Sequence, residues 1–498
     1  MAGPVTAGKS DHWGSRFGFI MAAVGSSVGL GNLWRFPFTA GENGGSAFIV
    51  IYLLSVLAFG LPVLMAEYAL GRHGQRSAIA TLRKITTDES KPKAWIGMGW
   101  LGAIASLLLF SFYIVISGWV FDYIPQSFSG AFSNFSTEAA LLNASIGQAV
   151  TDINSQITTV HLSSACAFVN EGVITQVTEM VNGAPTLRDI SVGDVSGCRF
   201  AETTGNKFEI FCYTAVFLAL NVFVLARGVN GGIEKAAEIL MPAFFIMLLG
   251  IVVYACVTGD IGAAASFLLT PDFSKVSFNT VLAAVGQAFF SLSVGSCVMF
   301  TYGAYLTRET SIPKNACLVA GADTFVALIA GFAIFPIVFA FGLNEAGGPG
   351  LLFVTLPIAF GQMPTFIGAV FFTLALFAAF TSAISLLEVG VSWLEDQKAI
   401  GRVKGAIGLG LVMLLFATAY IFRGDLIDHA DFLSGSVMLP LGGALIGIFA
   451  GWVVPRHILE KELGTGPHLK IVLFLLRFVI PIFIFAILIT GIYAKFAG

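Results

Sequence analysis

The stretch Gly25-Ser-Ser-Val-Gly-Leu-Gly-Asn32 interrupts an apolar run that begins near Phe17, and Ser291-Leu-Ser-Val-Gly-Ser296 interrupts a second long apolar run. Glycine costs a helix interior about 1 kcal/mol relative to alanine, so each stretch predicts a helix that unwinds midway. One isolated glycine would favour a simple packing contact between helices. Two such clusters, each inside a long apolar run, instead predict a cavity. Unwound backbone at membrane depth survives only where it lines a cavity or is buried in protein.

The rest of the chain is a series of similar apolar runs. Hydrophobic residues make up 56% of the 498 residues and charged residues 11%, whereas soluble domains are about one-quarter charged. The runs predict about eleven membrane spans, which start near residues 17, 45, 97, 208, 234, 278, 318, 366, 403, 431 and 469. Runs of this length exclude a β-barrel. We therefore expect one all-α polytopic membrane domain over residues 1–498.

The two interrupted spans hold equivalent places in the order of spans. Each is the first helix of five, in residues 17–256 (spans 1–5) and in residues 278–455 (spans 6–10), and span 11 follows at 469–495. An inverted repeat with broken helices that hold substrate and ions at the midplane is typical of secondary transporters. The order of spans therefore predicts a 5+5 inverted repeat with broken helices 1 and 6.

Basic residues predict the orientation of the chain in a cell (inner) membrane. They concentrate in the loops after spans 2, 8 and 10, which include Arg72, Arg76, Arg83, Lys84, Lys91, Lys93, Lys398, Arg402, Lys404, Arg456, Lys461 and Lys470. Those loops should be cytoplasmic. The N-terminus should then be cytoplasmic and the C-terminus outside, and we expect no removable signal peptide.

A long polar segment, residues 125–207, should lie on the outer face between spans 3 and 4, with short amphipathic helices. It contains Cys166 and Cys198. A disulfide is chemically permitted on that face. Whether the two cysteines pair is left open by the sequence.

Oxygen-bearing side chains at membrane depth point to ion binding. Sodium at the bilayer centre needs oxygen ligands in place of its water, and unwound carbonyls with Ser, Thr, Asn and carboxylate side chains supply them. Asn32 and Asp323 are such groups, and a carboxylate within a span indicates function because leaving it unpaired is costly. Glu67 is interpreted as a structural support for unwound backbone of the first helix. Thr381 and Ser382 alone would indicate only contacts between helices.

Several of these residues belong to longer motifs. They include Trp13, Arg16 and Gly18, then Gly29-Leu-Gly-Asn-Leu-Trp-Arg-Phe-Pro37, Glu67-Tyr-Ala-Leu-Gly71, Gly232-Ile-Glu-Lys235, Gly286-Gln-Ala-Phe-Phe-Ser-Leu-Ser293 and Leu394-Glu-Asp396. In this order they resemble the neurotransmitter:sodium symporter family over nearly the whole chain. The resemblance implies a leucine-transporter-like fold, a sodium-coupled symporter and two sodium sites.

The resemblance also implies roles for individual residues. The first sodium would bind the Ser27 carbonyl and the side chains of Asn32, Ser291 and Asp323. The second would bind the carbonyls of Gly25, Val28 and Ala378 with the hydroxyls of Thr381 and Ser382. The substrate would contact Ser26, Leu30, Gly31, Leu109, Tyr113, Phe290, Ser293, Ser296, Ser382 and Leu386, with its carboxylate beside the first sodium and Tyr113.

Two pairs resemble the family's gates. Arg35 and Asp431 resemble the outer gate, with Phe290 as a lid over the substrate. Asp396 resembles the inner-gate acid, but its expected arginine partner falls at Ser10, with Lys9 beside it. Lysine offers a point charge rather than a bidentate fork, so a Lys9 substitution for that arginine is only a hypothesis.

Asp323 departs from the pattern of animal members. It stands where an asparagine usually helps to form a chloride site, so a fixed carboxylate should supply the negative charge itself. We therefore expect chloride independence. Uptake of a proton by Asp323 after sodium leaves is a further hypothesis.

The substrate is predicted to be a small, neutral, hydrophobic α-amino acid. Gly29 stands where amine-selective relatives carry an aspartate, so the substrate should bring its own carboxylate. GABA, taurine and betaine remain alternatives, and so do a non-transporting nutrient sensor and a sodium channel. Nothing indicates an enzyme or a nucleic-acid partner, because motifs for phosphate, metal or nucleophile chemistry are missing.

Overall fold

The computed structural model of the protein describes residues 12–136, 177–181, 184–188, 191–343, 350–396 and 400–497. Among these residues, nine helices are long and apolar enough to cross a membrane, and a pair bent by 50° is a tenth candidate. Span 1 is the bent pair Arg16–Ser27 and Gly31–Glu42, and spans 2 to 5 are Ser46–Gly74, Lys93–Phe128, Lys207–Ala226 and Val229–Thr258. Spans 7 to 11 are Ile312–Ala340, Thr365–Asp396, Arg402–Phe422, Asp425–Val453 and Pro467–Thr490. The prediction of an α-helical polytopic membrane protein is confirmed.

Span 6 is divided into two short helices. Phe278–Ser291 ends at an irregular segment, and Val298–Ala304 begins after it. Within the segment Ser293, Gly295 and Cys297 have φ angles of 52°, 88° and 60°. Left-handed backbone cannot continue an α-helix. With this broken helix counted as one span, the described residues agree with the prediction of about eleven spans.

Span 1 also breaks where the glycine cluster predicts. Val28 is extended, with ψ 100°, and a π-helical turn follows at Gly31–Arg35. The predicted starts of spans 7 and 10 lie six residues too late, since these helices begin at residues 312 and 425. Their first turns are rich in polar residues and carry little apolar signal.

Shorter elements connect the spans. The helices are Ala78–Asp88, Val192–Gly205, Ile261–Leu269, Leu351–Phe360 and Arg456–Leu463, with a 3-10 turn at Phe273–Lys275. The strands Val177–Val181 and Ala184–Arg188 pair antiparallel, with Val177 opposite Arg188. This hairpin in the long polar segment was not predicted. Cys198 lies on Val192–Gly205, but Cys166, with which the sequence leaves a pairing open, is outside the described residues.

Burial separates central spans from peripheral ones. In the most apolar window of each helix, 72% of residues are buried in span 8 but only 28% in span 5. Span 8 packs along span 3, and the second half of span 6 packs on span 2. There, a Cβ at Gly71 would lie 2.0 Å from the Phe300 carbonyl oxygen. Small residues thus bring the broken helix against its neighbour, as in many membrane bundles.

Candidate substrate and ion site

The two breaks meet around a small buried cavity. Ser293 Oγ of span 6 donates to the Ser26 carbonyl of span 1 at 3.2 Å. The cavity has a volume of about 40 Å³, and about 10–15 Å³ is enough for one water. A hydrophobic amino acid would therefore have to displace lining side chains on entry.

Nine of the ten predicted substrate residues line this cavity. They are Ser26, Gly31, Leu109, Tyr113, Phe290, Ser293, Ser296, Ser382 and Leu386. Leu30 lines a larger neighbouring cavity instead. Its N–H donates to Tyr113 Oη at 3.2 Å, so it still contacts a lining residue. The roles of these residues stay predictions, but the fold brings them together.

Close packing explains why the break in span 1 needs glycine. A Cβ at Gly29 would lie 2.7 Å from Ser382 Oγ and 3.2 Å from Tyr113 Oη. A Cβ at Gly31 would lie 2.6 Å from the Phe290 ring. Side chains at these two positions would fill the space between spans 1, 3, 6 and 8.

The predicted first-ion residues form one connected group. Asn32 Nδ2 donates to Asp323 Oδ1 at 2.8 Å, and Ser291 Oγ donates to Asp323 Oδ2 at 2.6 Å. Asn32 and Asp323 have no exposed surface. Ser27, Asn32 and Ser291 also line the small cavity. Ion ligands and substrate contacts therefore share one space.

Buried polar groups missed by the sequence surround this group. Tyr52 lies beside Asp323, Ser291 and Thr324. Among the described side chains, Tyr52 Oη, Thr324 Oγ1 and both amide atoms of Gln287 are buried without a hydrogen-bond partner. Gln287 lies one turn before Ser291, inside a quoted motif, and that spacing was a usable signal.

The predicted second-ion residues also meet. Ser382 Oγ lies 3.2 Å from the Gly25 carbonyl oxygen and 3.4 Å from that of Val28. Thr381 Oγ1 lies 3.1 Å from the Ala378 carbonyl oxygen. Span 1 stops its regular helical pairing beside this group, since the first helix ends at Ser27 and Val28 is extended. The group can supply the oxygen ligands that sodium requires.

Glu67 supports a different helix from the one expected. Its Oε1 accepts from Gly295 N at 2.6 Å, and its Oε2 accepts from Phe300 N at 3.0 Å. Its role as a structural support of unwound backbone agrees with the prediction, but the first helix as its target was wrong. Gly295 belongs to the irregular segment of span 6 and Phe300 to the first turn of Val298–Ala304, so Glu67 binds span 6 at its break and just after it.

Phe290 separates the small cavity from a larger one. It lines both, and the larger cavity measures about 410 Å³. The Arg35 guanidinium lies over the Phe290 ring, 4.1 Å from its centroid. A Cβ at Gly435 would lie 3.5 Å from Asp431 Oδ1 and 3.8 Å from Arg35 Nη1. The predicted outer-gate residues thus lie close together above the lid residue.

The opposite end of the bundle holds the predicted inner gate. Asp396 Oδ2 accepts from Ser77 N at 2.6 Å, while Lys9 is outside the described residues. A cluster that the sequence did not predict lies nearby on span 8. Arg402 Nη2 pairs with Glu388 Oε2 at 2.7 Å, and Tyr305 Oη donates to Glu388 Oε1 at 2.6 Å.

Comparisons with known proteins agree with this geometry. The model of the sodium:neurotransmitter symporter family matches residues 10–493. The sodium-dependent transporter YhdH of Bacillus subtilis is 32% identical over 95% of this chain and 96% of that protein. Sodium-dependent nutrient amino acid transporter 1 of Drosophila melanogaster is 25% identical over 86% of this chain and 68% of that protein.

A solved structure extends the agreement to the fold. MhsT in complex with L-phenylalanine superposes with a TM-score of 0.78 at 33% identity, over 97% of this chain and 99% of that chain. The likeness therefore covers nearly the whole of both chains. The chain belongs to the sodium:neurotransmitter symporter family and is a sodium-dependent, multi-pass membrane transporter rather than an enzyme.

Proposed function

We propose that the protein imports a neutral, hydrophobic α-amino acid together with sodium by alternating access. The observation that carries this proposal is the shared cavity, which Ser27, Asn32 and Ser291 line together with the predicted substrate contacts. A substrate carboxylate in that cavity would complete the shell of the first sodium. Each ligand would then raise the affinity of the other by the same factor, as linkage requires.

The packing at Gly29 supports a substrate that carries its own carboxylate. With a Cβ only 2.7 Å from Ser382 Oγ, an acidic side chain at this position has no room. The break also presents backbone N–H groups, with Leu30 N already directed at Tyr113 Oη at 3.2 Å. Such groups favour an anion. The carboxylate of an amino acid would fit between them and the first sodium.

The other walls support a hydrophobic side chain. Leu109, Phe290 and Leu386 line the cavity away from the ion residues. The related MhsT was solved in complex with L-phenylalanine. GABA, taurine and betaine lack the combination of an α-carboxylate and an apolar side chain that these walls suit. They belong in the same assay as alternatives.

Asp323 supports transport without chloride. It lies within hydrogen-bond distance of Asn32 and Ser291, two other predicted ligands of the first sodium. A carboxylate there provides fixed negative charge next to the ion. Protonation of Asp323 after sodium release would make the transporter an antiporter for protons as well.

Contacts between basic loops support the proposed orientation. Arg72, at the end of span 2, pairs with Glu462 after span 10 at 2.5 Å. Ser77, after span 2, binds Asp396 at the end of span 8. The three loops rich in Lys and Arg thus lie on one face of the bundle, which the positive-inside rule makes cytoplasmic. Arg35 and Asp431 would then close the outer side.

The inverted repeat and the inner gate are two further parts of the proposal. The breaks occupy the first helix of each predicted repeat, 17–256 and 278–455, which supports the inverted-repeat proposal. The pairing of Lys9 with Asp396 as an inner gate stays a hypothesis, since Lys9 lies outside the described residues.

Uptake into proteoliposomes tests the proposed function. We expect an inward sodium gradient to drive accumulation of a hydrophobic amino acid from a labelled pool that includes GABA, taurine and betaine. A potassium gradient should not drive it, and replacement of chloride by gluconate should leave it unchanged. Asn32→Ala should abolish accumulation, because it removes a predicted sodium ligand that lines the cavity.

Three outcomes would contradict parts of the proposal. Accumulation of only GABA, taurine or betaine would replace the substrate class. Loss of uptake in gluconate would exclude chloride independence. Binding of an amino acid without accumulation would favour the sensor, and an uncoupled sodium current would favour the channel.

A further inference from the structure

Span 10 contributes a side chain to the substrate cavity that no predicted contact includes. Leu439 lines the cavity and is 2% exposed. The predicted substrate contacts come from spans 1, 3, 6 and 8. Leu439 therefore adds a wall from a fifth helix, which also carries Asp431.

Ser296 also lines the cavity, but it supplies little apolar wall. Its hydroxyl donates to the Ser293 carbonyl oxygen at 2.6 Å, within the irregular segment itself. Its own carbonyl accepts from Ser106 Oγ at 2.6 Å. Ser296 is thus small and bound to backbone, and it offers a substrate side chain little apolar surface. The aliphatic side chain of Leu439 meets the same space.

Close contact between two backbones fixes the position of this wall. A Cβ at Gly295 would lie 2.2 Å from the Leu439 carbonyl oxygen, and a Cβ at Gly442 would lie 2.2 Å from the Gly295 carbonyl oxygen. Gly295 also has a φ of +88°, a backbone conformation that residues other than glycine rarely adopt. Span 10 therefore cannot approach further, and the Leu439 side chain decides how much space remains.

We propose that Leu439 limits the length of the substrate side chain. This inference rests on the proposed function, since it concerns an amino-acid side chain in the same cavity. A shorter residue at position 439 enlarges the cavity from the side of span 10, and a longer one shortens it. Neither change touches a predicted sodium ligand.

Substrate selectivity of size variants tests the inference. Leu439→Ala should raise the ratio of kcat/KM for phenylalanine to that for alanine by about tenfold or more, since a hydrophobic pocket discriminates by about 10–200-fold per methylene. Leu439→Phe should lower the ratio by a similar factor. Leu439→Met conserves volume and should leave the ratio within about threefold of wild type. Sodium-driven uptake of both substrates is measured in one series.

The ratio distinguishes a selective wall from a merely structural residue. A structural role would change uptake of both amino acids alike and would lower the melting temperature without changing their ratio. That result, or an unchanged ratio in both size variants, overturns the inference. Uptake by the wild-type protein distinguishes failure of the proposed function from failure of the inference about Leu439. Wild type that accumulates no amino acid refutes the proposed function and the inference, whereas active wild type with a constant ratio refutes only the inference.

Discussion

Replacing Glu67 tests whether its contact with span 6 holds the substrate site in its binding geometry. Its two oxygens accept from Gly295 N at 2.6 Å and from Phe300 N at 3.0 Å. Glu67→Gln keeps one acceptor and turns an amide NH₂ toward the other N–H. One hydrogen bond to a charged group, worth about 1.5–3 kcal/mol, is then lost. If that loss falls on the bound state, the substrate Kd rises about 10- to 150-fold.

Ser106→Ala provides a graded control on the same segment. It removes the neutral hydrogen bond from Ser106 Oγ to the Ser296 carbonyl oxygen at 2.6 Å. Such a bond is worth about 0.5–1.5 kcal/mol, so Kd should rise only about 2- to 10-fold. The double variant should be less impaired than the sum of the two changes predicts, because both contacts hold one segment.

The assay is equilibrium binding of the labelled substrate to purified protein in saturating sodium. Sodium titration at fixed substrate should show a parallel loss, because Ser291 is attached to the same irregular segment. Wild-type affinity in Glu67→Gln would refute the reasoning. A larger effect of Ser106→Ala than of Glu67→Gln would refute it equally, because it would reverse the order of hydrogen-bond strengths.

Three other variants, two of them paired with a control variant, have clear expected results. Gly29→Ala should abolish uptake, because its methyl would lie 2.7 Å from a hydroxyl of span 8. Gly286→Ala is the control, because the space around its Cβ is open. It should retain uptake and gain up to about 1 kcal/mol in helix stability. Arg402→Ala should lower the melting temperature sharply, because loss of a partner leaves a buried carboxylate and costs about 3–5 kcal/mol. Arg456→Ala breaks an exposed pair and should change stability by about 1 kcal/mol or less. Asp323→Asn should make any remaining uptake depend on chloride, measured with gluconate replacement. Unchanged uptake in gluconate would contradict that reasoning.

The small cavity and the larger cavity beside it differ about tenfold in volume. Phe290 lies under the Arg35 guanidinium and caps a cavity of about 40 Å³, while the space beyond it measures about 410 Å³. Phe200 and Lys207, from the end of the long polar segment, line that outer space. The end of the segment that the sequence left without a role therefore borders the larger cavity, which Phe290 also lines.

Most spans and both breaks could be predicted from the sequence because their causes are local. An apolar run long enough to cross a bilayer is itself enough to predict a span. Three glycines within residues 25–31 destabilise a helix interior, and they are therefore enough to predict the break in span 1. The predicted start of a span was wrong where the first turn of the helix is polar, as at residues 312 and 425. Residue type and depth indicated Asn32 and Asp323 as ion ligands, but the other ligand roles came from the family resemblance, since no local pattern pairs Ser382 with the Gly25 carbonyl.

Tertiary structure decided what depends on which helices become neighbours. Glu67 binds span 6 rather than span 1, and Glu388 pairs with Arg402 across a helix boundary. Leu439 was unpredictable for a further reason. An apolar residue on a membrane helix has the same local pattern whether it faces lipid, core or cavity, because all three favour apolar surface. Sequence alone therefore determined the spans and their breaks, whereas packing between helices decided that Leu439 joins the predicted residues around the small cavity.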